Sequence, residues 1–100
     1  MRVIAKRALR EFWEAEPAHR DAKSPLQAWY REAIHARWKS PAEIKTQYRN
    51  ASLIGGGRVV FNIAGNKYRL IVRINYGREI VYIRFIGTHA DYDRINAETI

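Results

Sequence analysis

The fold is decided by the stretch from Arg58 to Thr88, which reads RVVFNIAGNKYRLIVRINYGREIVYIRFIGT. Apolar and polar residues alternate through most of it, and a period of two residues is typical of β-strands with one buried face. Two turn signals, Gly65-Asn66 and Gly77-Arg78, interrupt the alternation. The stretch therefore predicts an antiparallel meander of three strands. The expected strands are 58–64, 67–75 and 79–87.

The same alternation sorts the strand residues into two faces. One face is apolar and is expected to pack on helices; it comprises Val59, Phe61, Ile63, Leu70, Val72, Ile74, Val81, Ile83 and Phe85. The other, which we call the arginine face, is expected to have no helix over it; it comprises Arg58, Val60, Asn62, Arg69, Ile71, Arg73, Tyr82, Arg84 and Ile86. Arginine is common on exposed strands. Four on one face suit RNA, because guanidinium groups bind phosphates and stack on unpaired bases.

Before residue 50 the apolar residues recur at helical spacing. A short strand is expected at 2–5. The expected helices are 6–16, which Pro17 ends, 24–39, which Ser24 caps, and 41–48, which Ser40 caps. The second helix is expected to carry a set of apolar residues on one side, namely Leu26, Trp29, Tyr30, Ala33, Ile34 and Trp38. The prediction is an α+β fold, in which a small antiparallel sheet of the N-terminal strand and the meander packs on two to three N-terminal helices.

Two shorter motifs flank the meander. Ile54-Gly55-Gly56-Gly57 lacks the Lys-Ser/Thr ending of a phosphate-binding loop and has no strand-to-helix context, so we interpret it as a plain flexible connection. Thr88-His89-Ala90-Asp91 resembles a helix capping box with aspartate in place of glutamate. It predicts a short C-terminal helix.

Composition narrows the functional classes. One hundred residues with 47% hydrophobic content fit a single domain spanning residues 1–100. A net charge of +8 favours an anionic partner such as nucleic acid. The absence of cysteine excludes a disulfide scaffold, a zinc knuckle and a thiol nucleophile. No apolar run approaches the length of a membrane span, so we expect a cytoplasmic protein with no membrane partner.

The candidate for chemistry lies where the third strand ends. His89 and Tyr92 are three residues apart on the first turn of the predicted helix, beside the arginine face. The other two histidines are expected to be solvated or structural, because His19 falls in a loop and His35 lies inside the second helix. A lone histidine is more often inert than catalytic, so the position of His89 is what singles it out.

The carboxylates do not favour metal-dependent phosphoryl transfer, which needs clustered acids. In the second half of the chain Asp91 and Asp93 are the only close pair, and two residues apart on a helix they do not face each other. Metal-free RNA cleavage needs a base for the ribose 2′-OH, a donor for the leaving 5′-oxygen and cations around the phosphorane. Histidine, tyrosine, lysine and arginine can fill these roles, and no metal or other cofactor is expected.

Two strings stand out within these elements, FNIAGNKYRLIV at 61–72 and YIRFIGTHADYD at 82–93. Together they resemble the HigB toxins of the RelE/ParE superfamily of bacterial toxin–antitoxin systems. The resemblance covers nearly the whole chain, including the Trp29 helix and the Ser40-Pro41 segment. It implies a RelE-like fold and metal-free cleavage of mRNA, generally in the ribosomal A site. It also implies a helix-turn-helix antitoxin of the HigA type, held with the toxin in a hetero-oligomer.

The resemblance also implies roles for single residues. Arg69, in the Tyr-Arg-Leu string, matches the phosphate-gripping arginine of the superfamily. His89 falls near an arginine of RelE, and Tyr92 lies close to RelE's C-terminal tyrosine with a spacing that differs by a few residues. The expected catalytic residues are His89, Arg69, Tyr92 and Arg84, and the expected RNA-binding residues are Lys67, Arg73, Arg58, Asn62 and Tyr82.

One departure leaves the proton-transfer partner of His89 open. RelE carries lysines on the strand where this chain has Val60 and Asn62. Two further readings also stay open at this point: a non-catalytic module that binds RNA or the ribosome, and a gyrase-targeting toxin of the ParE kind.

Overall fold

The computed structural model describes residues 1–100, and the meander forms the centre of its sheet. The strands are β1 Arg2–Ile4, β2 Ser52–Ile54, β3 Arg58–Ile63, β4 Tyr68–Asn75 and β5 Ile80–Thr88. The helices are α1 Lys6–Ala15, a 3₁₀ helix Pro17–Ala22, α2 Lys23–His35, α3 Pro41–Gln47 and α4 His89–Asp93. The α+β class and the meander are therefore confirmed. No helix is long and apolar enough to span a membrane.

The sheet has five strands in the order β1-β5-β4-β3-β2, and its two outer strands differ from the prediction. The N-terminal strand β1 pairs with β5 in parallel, not antiparallel. Strand β2 was not predicted, because three residues are too few to show an alternation. The glycine stretch after β2 is a hairpin turn to β3, in which Gly56 and Gly57 adopt φ of +72° and +73°, angles that favour glycine.

Helix α2 begins and ends earlier than its sequence suggested. It starts at Lys23, because the 3₁₀ helix runs directly into it, and Ser24 therefore makes no cap. It ends at His35 instead of near Lys39. The amino group of Met1 donates to three carbonyl oxygens at this end, those of Ala33, Ile34 and Ala36, at 2.9, 3.1 and 2.6 Å.

The core lies between the helices and the apolar face of the sheet. Phe61 is 1% exposed and sits among three aromatic rings, with centroid distances of 5.5 Å to Trp29, 6.4 Å to Trp38 and 5.0 Å to Tyr48. Trp38 belongs to the connection after α2, not to the helix, yet it is buried and its indole N–H donates to Gln47. Four of the six residues predicted for the apolar side, Trp38 among them, are therefore in the core, whereas Ile34 is 37% exposed.

A β-bulge in β5 reverses the predicted faces of two residues. Val72 pairs with Ile83 while its neighbour Ile71 pairs with Phe85, so Arg84 has no partner across the ladder. An extra residue in one strand shifts every later side chain to the opposite face. Phe85 therefore joins the arginine face and Ile86 packs on the core, the reverse of the prediction.

The arginine face is partly covered, contrary to the prediction. After β5 the chain turns back: α4 packs against β4 and β5, and the main-chain oxygen of Ile100 accepts from Arg58 on β3 at 2.8 and 2.9 Å. Val60 and Ile71, which lie on this face, are 3% and 0% exposed. The C-terminal segment thus buries the apolar centre of the arginine face and leaves charged side chains around it.

Candidate active site

The site is built where β5 ends and α4 begins. The Thr88 hydroxyl accepts from the Asp91 main-chain N–H at 3.1 Å, and the Asp91 carboxylate accepts from the Thr88 N–H at 3.2 Å, so the predicted capping box is confirmed. Gly87 lets the helix approach the strand. A Cβ there would lie 2.6 Å from the Phe85 ring and 3.1 Å from Asp91. The strand-to-helix joint is therefore fixed at its first turn.

His89 is the first residue of α4 and remains accessible. Its side chain is 50% exposed, and Nδ1 lies 3.2 Å from the Asp93 carboxylate. Its main-chain N–H donates to the Lys67 carbonyl at 3.2 Å, which ties α4 to the β3–β4 turn. A carboxylate at Nδ1 holds the hydrogen on that nitrogen and leaves Nε2 for proton transfer. This position of Asp93 was not predicted from the sequence, although a spacing of four residues on a helix is a usable signal.

Arg69 and Tyr92 complete this group. Arg69 pairs with Gly87 across the β4–β5 ladder, which places it beside the strand end. Its guanidinium carbon lies 5.8 Å from the centroid of the Tyr92 ring, within the range of a cation–π contact. One Arg69 nitrogen also donates to the Asn66 carbonyl at 3.1 Å. The structure thus brings Arg69, His89 and Tyr92 to one end of the sheet; we call these three residues the strand-end site.

Arg84 lies elsewhere on the same face. Together with Arg73 and Tyr82 it lines an open groove of about 600 Å³, which we call the arginine groove. Arg73 is four residues from Arg69 along β4, a separation of about 13 Å at the rise of a β-strand. The structure therefore separates Arg84 from the strand-end site and joins it to two of the residues expected to bind RNA.

The remaining three predicted residues are engaged within the protein. Lys67 forms an ion pair with Asp21 of the 3₁₀ helix, and Arg58 holds Ile100. The Asn62 side-chain amide is 3.4 Å from the Asn50 carbonyl. None of these three side chains contacts the strand-end site through a hydrogen bond or ion pair. No three histidine or acidic side chains come together as a metal-binding group.

Comparison with known proteins identifies the family. The family model of the HigB toxins, described as the RelE-like toxic component of a toxin–antitoxin system, matches residues 22–95. The chain belongs to the HigB toxin family. It is 27% identical over 99 residues to the mRNA interferase toxin HigB of Escherichia coli K12, which covers 97% of this chain and 92% of the relative. The mRNA interferase HigB of Shigella flexneri matches over the same lengths at the same identity.

Membership in the HigB family confirms the resemblance drawn from the two strings, and the structure adds what the departure from RelE means. At the positions where RelE has lysines, Val60 is 3% exposed and Asn62 bonds to a neighbouring carbonyl. Neither side chain is available for proton transfer. In this HigB-family chain, the exposed titratable group of the strand-end site is His89.

A second polar cluster supports the β3–β4 turn from behind. The Asp21 carboxylate accepts from both Lys67 and the Tyr68 hydroxyl, and these hydrogen bonds hold the pKa of Asp21 below its ordinary value. The same pairing with Asp21 raises the pKa of Lys67, and burial followed by Asp21 raises the pKa of Tyr68. His19 lies in the 3₁₀ helix instead of the predicted loop, and it packs beside the cluster, stacked on Phe12 at 4.3 Å.

This cluster predicts an acid-dependent contribution to stability. Because the pKa of Asp21 is lower in the folded state, its contribution is present above about pH 4 and is lost as the pH falls through the lowered folded value. We expect Asp21→Asn to be modestly less stable than wild type at pH 7 and equally stable near pH 2, measured by urea unfolding at several pH values. Glu14→Gln, on the exposed side of α1, is the control. A stability difference that persists unchanged at pH 2 would contradict the assignment.

Proposed function

We propose that this chain cleaves mRNA as the toxin of a toxin–antitoxin pair, by attack of a ribose 2′-OH on the neighbouring phosphate. The observation that carries the proposal is the strand-end site, where an accessible histidine, an arginine and a tyrosine meet on a HigB-family fold. The names of the relatives, mRNA interferases, support the same activity.

The reaction needs two proton transfers and one charged partner. The 2′-oxygen forms a bond to phosphorus while the bond from phosphorus to the 5′-oxygen breaks, which leaves a 2′,3′-cyclic phosphate and a 5′-hydroxyl. His89 carries one of the two protons through Nε2, while Asp93 holds the ring at Nδ1. Arg69 binds the phosphate and stabilises the added charge of the phosphorane. Tyr92 positions Arg69 through the cation–π contact with its ring, and the ring also stacks on a base of the RNA.

The arginine groove extends the contact with RNA away from the cleaved bond. Arg73 and Arg84 are exposed and unpaired by any acid, and Tyr82 lies with them. Each arginine that contacts a phosphate adds to the salt dependence of binding. We therefore assign the groove to binding, including Arg84, which the sequence had placed among the catalytic residues.

Removing both groove arginines is expected to weaken RNA binding mainly at low salt. For Arg73→Ala/Arg84→Ala, the slope of log affinity against log salt should fall by about 1 for each arginine lost. Filter binding of a single-stranded RNA between 50 and 200 mM salt measures this slope. All proteins compared carry His89→Ala, so that the RNA is not cleaved during the measurement. Arg7→Ala/Arg10→Ala on α1 removes the same charge from a surface paired with Glu11 and Glu14. An equal loss of slope in this control would assign the effect to net charge alone.

The proposed activity extends to a substrate and to a protein partner. We propose that the substrate is mRNA under translation in the cytoplasm, and that a HigA-type helix-turn-helix antitoxin neutralises the toxin in a hetero-oligomer. Membership in a family of toxin–antitoxin components supports the antitoxin.

The test is primer extension on one reporter mRNA with and without its start codon, after induction of the toxin. We expect new 5′ ends inside the reading frame only when the message is translated. Cleavage of both messages would overturn the dependence on translation. Intact mRNA with signs of DNA damage would favour a gyrase-targeting toxin, and salt-sensitive RNA binding without new ends would favour a non-catalytic module.

A further inference from the structure

A cavity of about 340 Å³ lies beside the strand-end site, between α2, the connection from α3 to β2, and the outer edge of β3. We call it the edge cavity. Strand β2 pairs with β3 only as far as Val60, so this part of the edge has no neighbouring strand. Its lining includes three aromatic and three polar residues: Trp29, Tyr48, Phe61, Glu32, Arg49 and Asn62.

The hydrogen bonds in the edge cavity leave one acceptor free. The Tyr48 hydroxyl donates to Oε2 of Glu32, and burial together with Glu32 raises the pKa of Tyr48, so the hydroxyl stays a donor. The other carboxylate oxygen, Oε1, makes no hydrogen bond within the protein. Tyr48 is half-buried in the lining, whereas Trp29 and Phe61 belong mainly to the core behind it. A cavity lined partly by aromatic residues, with a free charged acceptor, favours a flat, polar guest over an aliphatic side chain.

The position of the edge cavity links it to the strand-end site. Asn62, which lines the cavity, pairs with Arg69 across the β3–β4 ladder, and Arg69 pairs with Gly87. Neighbouring strands are about 4.8 Å apart, so the cavity lies roughly one strand from Arg69 and two from the start of α4. A nucleotide next to the phosphate held by Arg69 can therefore place its base at this edge.

We propose that the edge cavity binds one unpaired RNA base beside the cleaved phosphate and selects a base that carries an amino group. The inference rests on the proposed ribonuclease function. Aromatic side chains stack on unpaired bases, and hydrogen bonds at the base edge then distinguish them. Glu32 Oε1 accepts from the exocyclic amino group of adenine, cytosine or guanine. Uracil has no exocyclic amino group, and its single base-edge donor, N3–H, lies between two carbonyl oxygens that the carboxylate repels.

The experiment sequences the 5′ ends of mRNA fragments in cells that express wild type or Glu32→Gln. For wild type we expect one position next to the cleaved bond to be depleted in uracil several-fold. Glu32→Gln replaces the carboxylate with an amide that both donates and accepts, so the depletion should disappear while total cleavage stays within a few-fold. Glu43→Gln, an exposed acid on α3, is the matched control and should keep the wild-type pattern.

The outcomes separate this inference from the ribonuclease assignment. If wild type produces no fragments, the proposed function fails. If wild type and Glu32→Gln cleave with the same base distribution, or if a folded Glu32→Gln loses cleavage equally at all sites, the base-binding role is overturned. An unchanged distribution with weaker antitoxin binding would assign the cavity to that protein. Should Glu32→Gln not fold, Glu32→Ala removes the same carboxylate and carries the same expectation.

Discussion

Replacement of His89 by alanine is expected to lower the rate of mRNA cleavage by about 10²–10⁴-fold, the range that one positioned acid or base contributes. Its imidazole is the exposed group with a free ring nitrogen at the strand-end site. Arg69 and Tyr92 stay in place in this variant, because the capping box that orients α4 uses Thr88 and Asp91. RNA binding should therefore change far less than the rate. Primer extension on a translated message gives the rate.

His35→Ala is the matched control, because His35 is also exposed on a helix but lies at the end of α2, near Met1 and Arg37. It should cleave at the wild-type rate. A His89→Ala toxin that cleaves as fast as this control would remove His89 from the mechanism. Arg69→Ala then tests whether phosphate binding alone accounts for the activity.

The largest expected effect on stability follows truncation of Phe61 to alanine. The ring is 1% exposed and contacts the rings of Trp29, Trp38 and Tyr48, so its removal leaves a cavity that the surrounding helices cannot fill without shifting. Such truncations typically cost about 3–5 kcal/mol in the free energy of unfolding. That is a large share of the total for a small domain. Urea unfolding followed by tryptophan fluorescence measures it.

Leu53→Ala serves as the control for Phe61→Ala, since Leu53 is 44% exposed on the outer strand β2. Truncation of Leu53 should lower the free energy of unfolding by much less than truncation of Phe61, because its side chain buries little apolar area on folding. Equal losses at the two positions would mean that the core does not depend on the aromatic cluster. Reduced toxicity of Phe61→Ala in cells should then be traced to protein level before catalysis is considered.

Local patterns in the chain predicted much of the fold. The alternation from Arg58 to Thr88 predicted the meander, and the Thr88–Asp91 motif predicted the start of α4, because both features depend on residues close in sequence. Strand β2 was not predicted, because it is formed by pairing with β3 and its three residues are too few to show an alternation of apolar and polar residues. Helix α2 was drawn too long because the contact that closes it comes from Met1, more than thirty residues away.

The candidate site shows the same division. His89, Tyr92 and Arg69 were expected to meet from their places at a strand end and on one face, and the structure places them together. Arg84 was expected beside them, but it lies in the arginine groove with Arg73 and Tyr82. The β-bulge at Arg84 was not predicted either, because it arises from a change of register between β4 and β5 and not from the residues of β5 alone.

By itself, the sequence determined which residue types stand at the end of β5, which face of the meander is apolar and which family the two strings resemble. Those properties are local, because the period of the backbone fixes where each side chain of a strand points. Only the tertiary structure decided which basic side chains are held by ion pairs or hydrogen bonds to distant residues of the protein. Lys67 pairs with Asp21 and Arg58 holds Ile100, whereas the Arg69 guanidinium contacts the Tyr92 ring. The pairings of Lys67 and Arg58 join residues 46 and 42 positions apart, and no local pattern specifies them.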